Sequence, residues 1–148
     1  MIGQDLHGRT LIQRTGAGTQ GLVRSVRTET VLATSFVTAG ATVRYIQAQD
    51  PAEVTLVATD QRGEDQLCVD YLYRLLAGET VDAAATLQQV RVLGEQVVAA
   101  WRGRVPEEQL DNFAADLTCC LDLDRFTFTV VGKRQDSLWI LKPSIEVL

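Results

Sequence analysis

Histidine is almost absent from this chain, which has 148 residues and a single one, His7. It stands in a short polar lead-in, Met1 to Arg9, and reads as a surface residue. Zinc sites built from several histidines and triads with a histidine base fall away with it. Cysteine is scarce too. Cys68, Cys119 and Cys120 form an odd set of three without metal-finger spacing. Free thiols in a reducing, cytoplasmic setting are expected. The vicinal Cys119 and Cys120 read as small residues on a helix face rather than as a redox pair. No apolar run is long enough to span a bilayer, and no basic stretch followed by an apolar one suggests a signal peptide. Lysine and arginine are spread out, the net charge is -5, and the pI is near 4.8. Nucleic-acid binding, which needs clustered cations to neutralise phosphates, is not expected, and neither is a membrane.

What remains is an ordinary globular composition, 46% hydrophobic and 22% charged. The length fits one domain over residues 1–148 with a core that needs no staples. The most informative stretch is glycine-rich: Arg14-Thr15-Gly16-Ala17-Gly18-Thr19-Gln20-Gly21. It follows Thr10-Leu11-Ile12, a predicted strand, and leads into Leu22 to Arg27, a predicted helical turn or two. Strand, glycine loop and helix together make an anion site, because glycines let several backbone N–H groups turn toward one point. Thr15 and Thr19 add hydroxyls, and Arg14 adds a fixed cation. The alternative is a tight turn that binds nothing. The spacing matches neither a dinucleotide fingerprint nor a P-loop.

Further along, Thr30 to Thr34 is β-branched and continuous, as in a strand covered on both faces. Ser35 ends it. A helix over Val37 to Ile46 carries small residues on one side, with Ser35 or Thr38 near its start and Asp50-Pro51 at its end. Val54-Thr55-Leu56-Val57-Ala58-Thr59 is the clearest strand. After the loop Asp60 to Gly63, Glu64 and Asp65 open a helix whose apolar face is Leu67, Cys68, Tyr71, Leu72, Leu75 and Leu76. Acidic residues suit a first helical turn; alternatively, Glu64 or Asp65 binds magnesium or acts as a general base. Val81 to Ala100 is helical by its three-and-four spacing. Pro106-Glu107-Glu108 begins another helix, with Asp116, Asp122 and Asp124 gathered near its end. Phe126 to Pro143 reads as an antiparallel hairpin turning at Gln135-Asp136-Ser137.

The expected architecture is α/β: a three-layer α/β/α arrangement with a mainly parallel sheet and a C-terminal antiparallel hairpin. In such a sheet the loops at Thr15 to Gln20, Ser35 to Thr38 and Asp60 to Asp65 share the rim where ligands bind. Arg14, Thr15, Gly16, Ala17, Gly18, Thr19, Ser35 and Thr38 then form a phosphate site, with Glu64 and Asp65 beside it.

Gln13 to Gly21, Ala33 to Val37, Val54 to Val57, Gly63-Glu64-Asp65 with Cys68 and Tyr71-Leu72, and the ending Asp116-Leu117, Cys120, Asp124 and the Phe126 strand resemble the 2-phosphosulfolactate phosphatase family. Order and spacing carry the resemblance, which covers nearly the whole chain and the later part of a usual member. It implies magnesium-dependent hydrolysis of a small anionic phosphate monoester on a sulfonated lactate. It also implies that an aspartate and arginine motif on an early strand of the family's first half has no counterpart here. Ala17 stands where the family usually has asparagine; Thr15, Gly18 and Thr19 are retained in kind. A catalytically inactive, anion-binding or self-associating descendant is the alternative. Loss of a half-domain would expose apolar surface, so a homo-oligomer such as a dimer is expected.

Overall fold

The computed structural model describes residues 5–60 and 63–145. Within them the chain is mixed α/β, with five helices and one three-stranded sheet. In order these are α1 (Gly18–Arg24), β1 (Thr30–Ala33), a 3-10 turn (Phe36–Thr38) running into α2 (Ala39–Gln49), α3 (Glu64–Leu76), α4 (Ala83–Trp101), α5 (Glu107–Cys120), β2 (Thr129–Gln135) and β3 (Leu138–Ser144).

Helix boundaries follow local chemistry. Asp50, left-handed at φ 43°, stops α2, and Pro51 follows it. The first turn of α3 holds Glu64 and Asp65 and its last holds Arg74, which suits the helix dipole at both ends. The Asp82 carboxylate caps α4 by accepting from the Ala85 N–H at 3.1 Å. Pro106 precedes α5, where a missing N–H costs least. The β2–β3 turn lies at Asp136-Ser137, with Asp136 at φ 56°, as a two-residue hairpin requires.

The core is Phe36, Ala39 and Val43 against Tyr71 and Leu72 of α3, continued by Val90 of α4 and Leu121. A line of hydroxyls joins α2 to the sheet. Thr129 and Thr42 lie 2.9 Å apart, Thr42 and Thr34 3.0 Å, and Thr34 and Thr38 3.4 Å.

The hairpin forms as its alternation predicts, and α3, α4 and α5 fall where their periodicity places them. The sheet itself differs from the expectation. Among the described residues it is antiparallel throughout, in the order β1-β2-β3, with Thr30 opposite Lys133 and Ala33 opposite Val130. Two predicted strands join no ladder among the described residues: Thr10 to Ile12, and Val54 to Thr59. The reason is that β propensity reports fitness for a pleated, half-buried surface, whereas a ladder needs a neighbour. β1 takes its neighbour from the hairpin. The 54–59 segment turns Leu56 onto the core and is tied down at its far end by side-chain contacts instead. The rim shared by three parallel strands is therefore not formed within the described residues. Gln61 and Arg62, in the third predicted loop, lie outside them.

Candidate anion site

The glycine loop is closed by a reciprocal clasp. The Thr15 N–H donates to Thr19 Oγ1 at 2.7 Å, the Thr19 N–H donates to Thr15 Oγ1 at 3.1 Å, and the two hydroxyls lie 3.0 Å apart. The Thr19 hydroxyl also donates to the Thr15 carbonyl. The clasp needs threonine or serine four residues apart, and it leaves the N–H groups of Gly16, Ala17 and Gly18 without a protein acceptor among the described residues. Arg14 is exposed beside them. These three amides and the exposed Arg14 are the groups this loop offers to an anion.

The loop is joined to Asp65 through one intermediate. Gly21 of α1 packs so closely on Thr59 that a Cβ there would stand 2.7 Å from the threonine methyl. Thr59 is held in turn by Asp65. One carboxylate oxygen, Oδ2, accepts from the Thr59 N–H at 2.9 Å, the Thr59 hydroxyl at 2.7 Å and the Asp60 N–H at 2.8 Å. Oδ1 has no protein partner among the described residues. Gly63, at φ 104°, makes the turn that carries the chain into α3, a conformation L side chains rarely adopt. Glu64 lies next to Asp65, half-buried.

Cys68 and Tyr71 follow Asp65 at intervals of three along α3, hence on one face. Burial, aided by the Asp65 carboxylate, pushes the Cys68 thiol up to about 12. It stays a thiol and not a nucleophile. Burial also raises Tyr71, with Asp124 and then Cys68 adding to it. The Cys120 thiol is raised by burial first, then by Asp116 and Cys119, which argues against a redox pair; all three cysteines are free.

Because about 12 lies above the ordinary thiol value of 9.0, the contribution of Cys68 to stability is fully present below 9.0 and is lost as pH climbs from there through the raised value. Melting temperature should fall on the alkaline side, and Cys68→Ala should flatten that fall. Thermal melts of both chains from neutral pH upward check this; identical slopes would refute it.

The Ser35–Thr38 turn is built differently. Thr38 is only 5% exposed, and its hydroxyl faces Thr34 and the backbone of Ser35. Among the described residues no hydrogen bond links Ser35 or Thr38 to the glycine loop or to Asp65. The structure thus connects Asp65 to α1 through Thr59 and Gly21, and puts Ser35 and Thr38 at the start of the α2 segment. A residue that sequence reasoning left unassigned, Asp124, is central there. Its Oδ1 accepts from the Gly40 N–H at 2.6 Å, and its own N–H donates to the Phe36 carbonyl. The signal was present as an aspartate crowded at the end of α5, where the dipole disfavours it.

Among the described residues, no group of three or more His, Cys, Asp or Glu lies together in a way that could hold a metal ion. A magnesium ion here would rest on one or two carboxylates. That suits this ion, which usually keeps several waters and takes its remaining oxygens from substrate phosphate. The free Oδ1 of Asp65 is the donor of the right chemistry. No helix among the described residues is long and apolar enough to cross a membrane.

The chain is thus a mixed α/β protein whose clasped glycine loop has amides without a protein acceptor among the described residues. The family model for 2-phosphosulpholactate phosphatase matches residues 1–135, and the chain belongs to that family. No curated protein matches the chain, and no solved structure does.

Proposed function

We propose that this protein is a phosphatase that hydrolyses a small phosphate monoester of the 2-phosphosulpholactate type, with magnesium. The observation that carries the reading is the contact path from the clasped loop through Gly21 and Thr59 to Asp65. It links the loop that carries the amides to a carboxylate through two intermediate residues, in a chain of this family. The amides of Gly16 to Gly18 and the Arg14 guanidinium would hold the phosphoryl or sulfonate oxygens. Oδ1 of Asp65, with Glu64 beside it, would hold magnesium or orient the attacking water. Magnesium, when bound, would stabilise charge on the transferring phosphoryl group. A cytoplasmic setting fits its free thiols.

The test is release of inorganic phosphate from 2-phosphosulpholactate by the purified chain, with magnesium and with chelator. Magnesium-dependent release, reduced by roughly tenfold in Arg14→Ala, is expected for the loss of one charged phosphate contact. Binding without hydrolysis under every metal condition would instead favour an inactive anion-binding descendant, the reading that Ala17 supports. It would remove the catalytic part of the proposal.

A further inference from the structure

Two segments of this chain have strand-like sequences but no strand partner among the described residues, and their flanking charges are opposite. The first is Arg9-Thr10-Leu11-Ile12-Gln13-Arg14. Leu11 is 56% and Ile12 98% exposed, and no backbone group of residues 10–13 is hydrogen-bonded among the described residues. The second is Glu53-Val54-Thr55-Leu56-Val57-Ala58. Val57 is 61% exposed, Leu56 is turned inward, and the backbone groups of residues 54–58 are likewise unbonded. A row of open N–H and C=O groups is a template for another strand. Beside it lies a groove of ≈ 640 Å³ whose apolar wall includes Ile46, Pro51, Val54, Leu56 and Tyr73. Its rim carries the carboxylates of Asp50 and Asp70, and Glu53 adjoins it.

We infer that the 9–14 arm of one copy adds as a β-strand along residues 53–58 of a second copy, and that the exchange is reciprocal. Main-chain hydrogen bonds supply the pairing, as in strand addition generally. Side chains supply the choice of partner: Leu11 or Ile12 enters the groove, while Arg9 meets its acidic rim. A second copy is the occupant because each chain carries both halves of this complement, basic arm and acidic acceptor. The same surface on both subunits is what a two-fold dimer requires.

The test is the oligomeric state, read by sedimentation of the whole chain. The wild-type chain should be a dimer. A donor variant, Arg9→Glu with Ile12→Glu, puts acid on the arm. An acceptor variant, Glu53→Lys with Val57→Lys, puts base on the receiving edge. Each alone should dimerise roughly tenfold or more weakly, because like charges then meet across the interface. Mixed in equal amounts, the two should recover a dimer, since both pairings in the mixed species are again between opposite charges. The changed side chains are on the surface, and circular dichroism melts should match the wild type. A monomeric wild-type chain overturns the inference, as do variants that still dimerise alone and variants that fail to complement each other.

Discussion

Replacing Asp65 by asparagine should cut phosphatase turnover by roughly a hundredfold, the scale of losing one positioned acid–base or charge-bearing group, and leave the helices in place. An asparagine carbonyl can still accept from the Thr59 and Asp60 amides that the carboxylate now holds. What it loses is the negative charge and the anionic Oδ1. Asp65→Ala goes further and abandons three donors at once. Hydrogen bonds to a charged group are worth about 1.5–3 kcal/mol each where water cannot replace them. These donors are partly exposed, so the total cost should stay near the size of one such bond. The alanine variant should therefore lose activity and also melt lower, whereas the asparagine variant should lose activity alone. Turnover and thermal melts on the three chains separate the chemical role from the structural one. Wild-type turnover in Asp65→Asn would dismiss the chemical role.

The second large effect concerns stability. Asp124→Ala should destabilise the fold by about 3 kcal/mol, from loss of a charge-assisted bond and from forcing alanine into a left-handed backbone. Asp124 sits at φ 52°, a conformation aspartate tolerates and alanine resists. Its carboxylate seals the N-terminal turn of α2 from 84 residues away in the chain. Gly40 is the other half of the contact. A Cβ there would lie 2.9 Å from Oδ2 and 3.0 Å from Oδ1. Alanine would favour the helix by about 1 kcal/mol through propensity, but it would displace the carboxylate, and the displacement should win. Gly40→Ala should thus lower the melting temperature despite its better helix former. The double variant should cost less than the two singles added, because they break the same contact. An Asp124→Ala protein that melts with the wild type would refute this account.

Helices were the legible part of this chain. Leu67, Tyr71, Leu72 and Leu75 repeat at helical spacing, and Asp50-Pro51 and Pro106 mark boundaries by chemistry that acts within a few residues. The Gln135-Asp136-Ser137 turn was readable for the same reason. The sheet was not, because pairing is decided between distant segments. Nothing in Val54 to Thr59 states that β1 will take its partner from the hairpin a hundred residues later. In the candidate site, Thr15 and Thr19 were readable as hydroxyl bearers, but their mutual clasp was not, and the link from Asp65 to α1 runs through Thr59 rather than along a shared strand-end rim. Ser35 and Thr38 were assigned by the same logic, but their environment depends on Thr34, Thr42 and Thr129. Asp124 was visible only as a charge at the wrong end of a helix, and its use by Gly40 could not be read without the packing of α5 onto the α2 segment.

The row of threonine oxygens between α2 and the sheet has a direction. Its last member, Thr38, donates to the Ser35 carbonyl, which can only accept. Thr34 must then give its proton to Thr38, Thr42 to Thr34, and Thr129 to Thr42. One half-buried main-chain oxygen so dictates the orientation of every hydroxyl back to the most deeply enclosed one. Sliding the helix by a single residue would break this succession everywhere at once. Polar groups, rather than the surrounding oily side chains, index the helix against the strand beneath it.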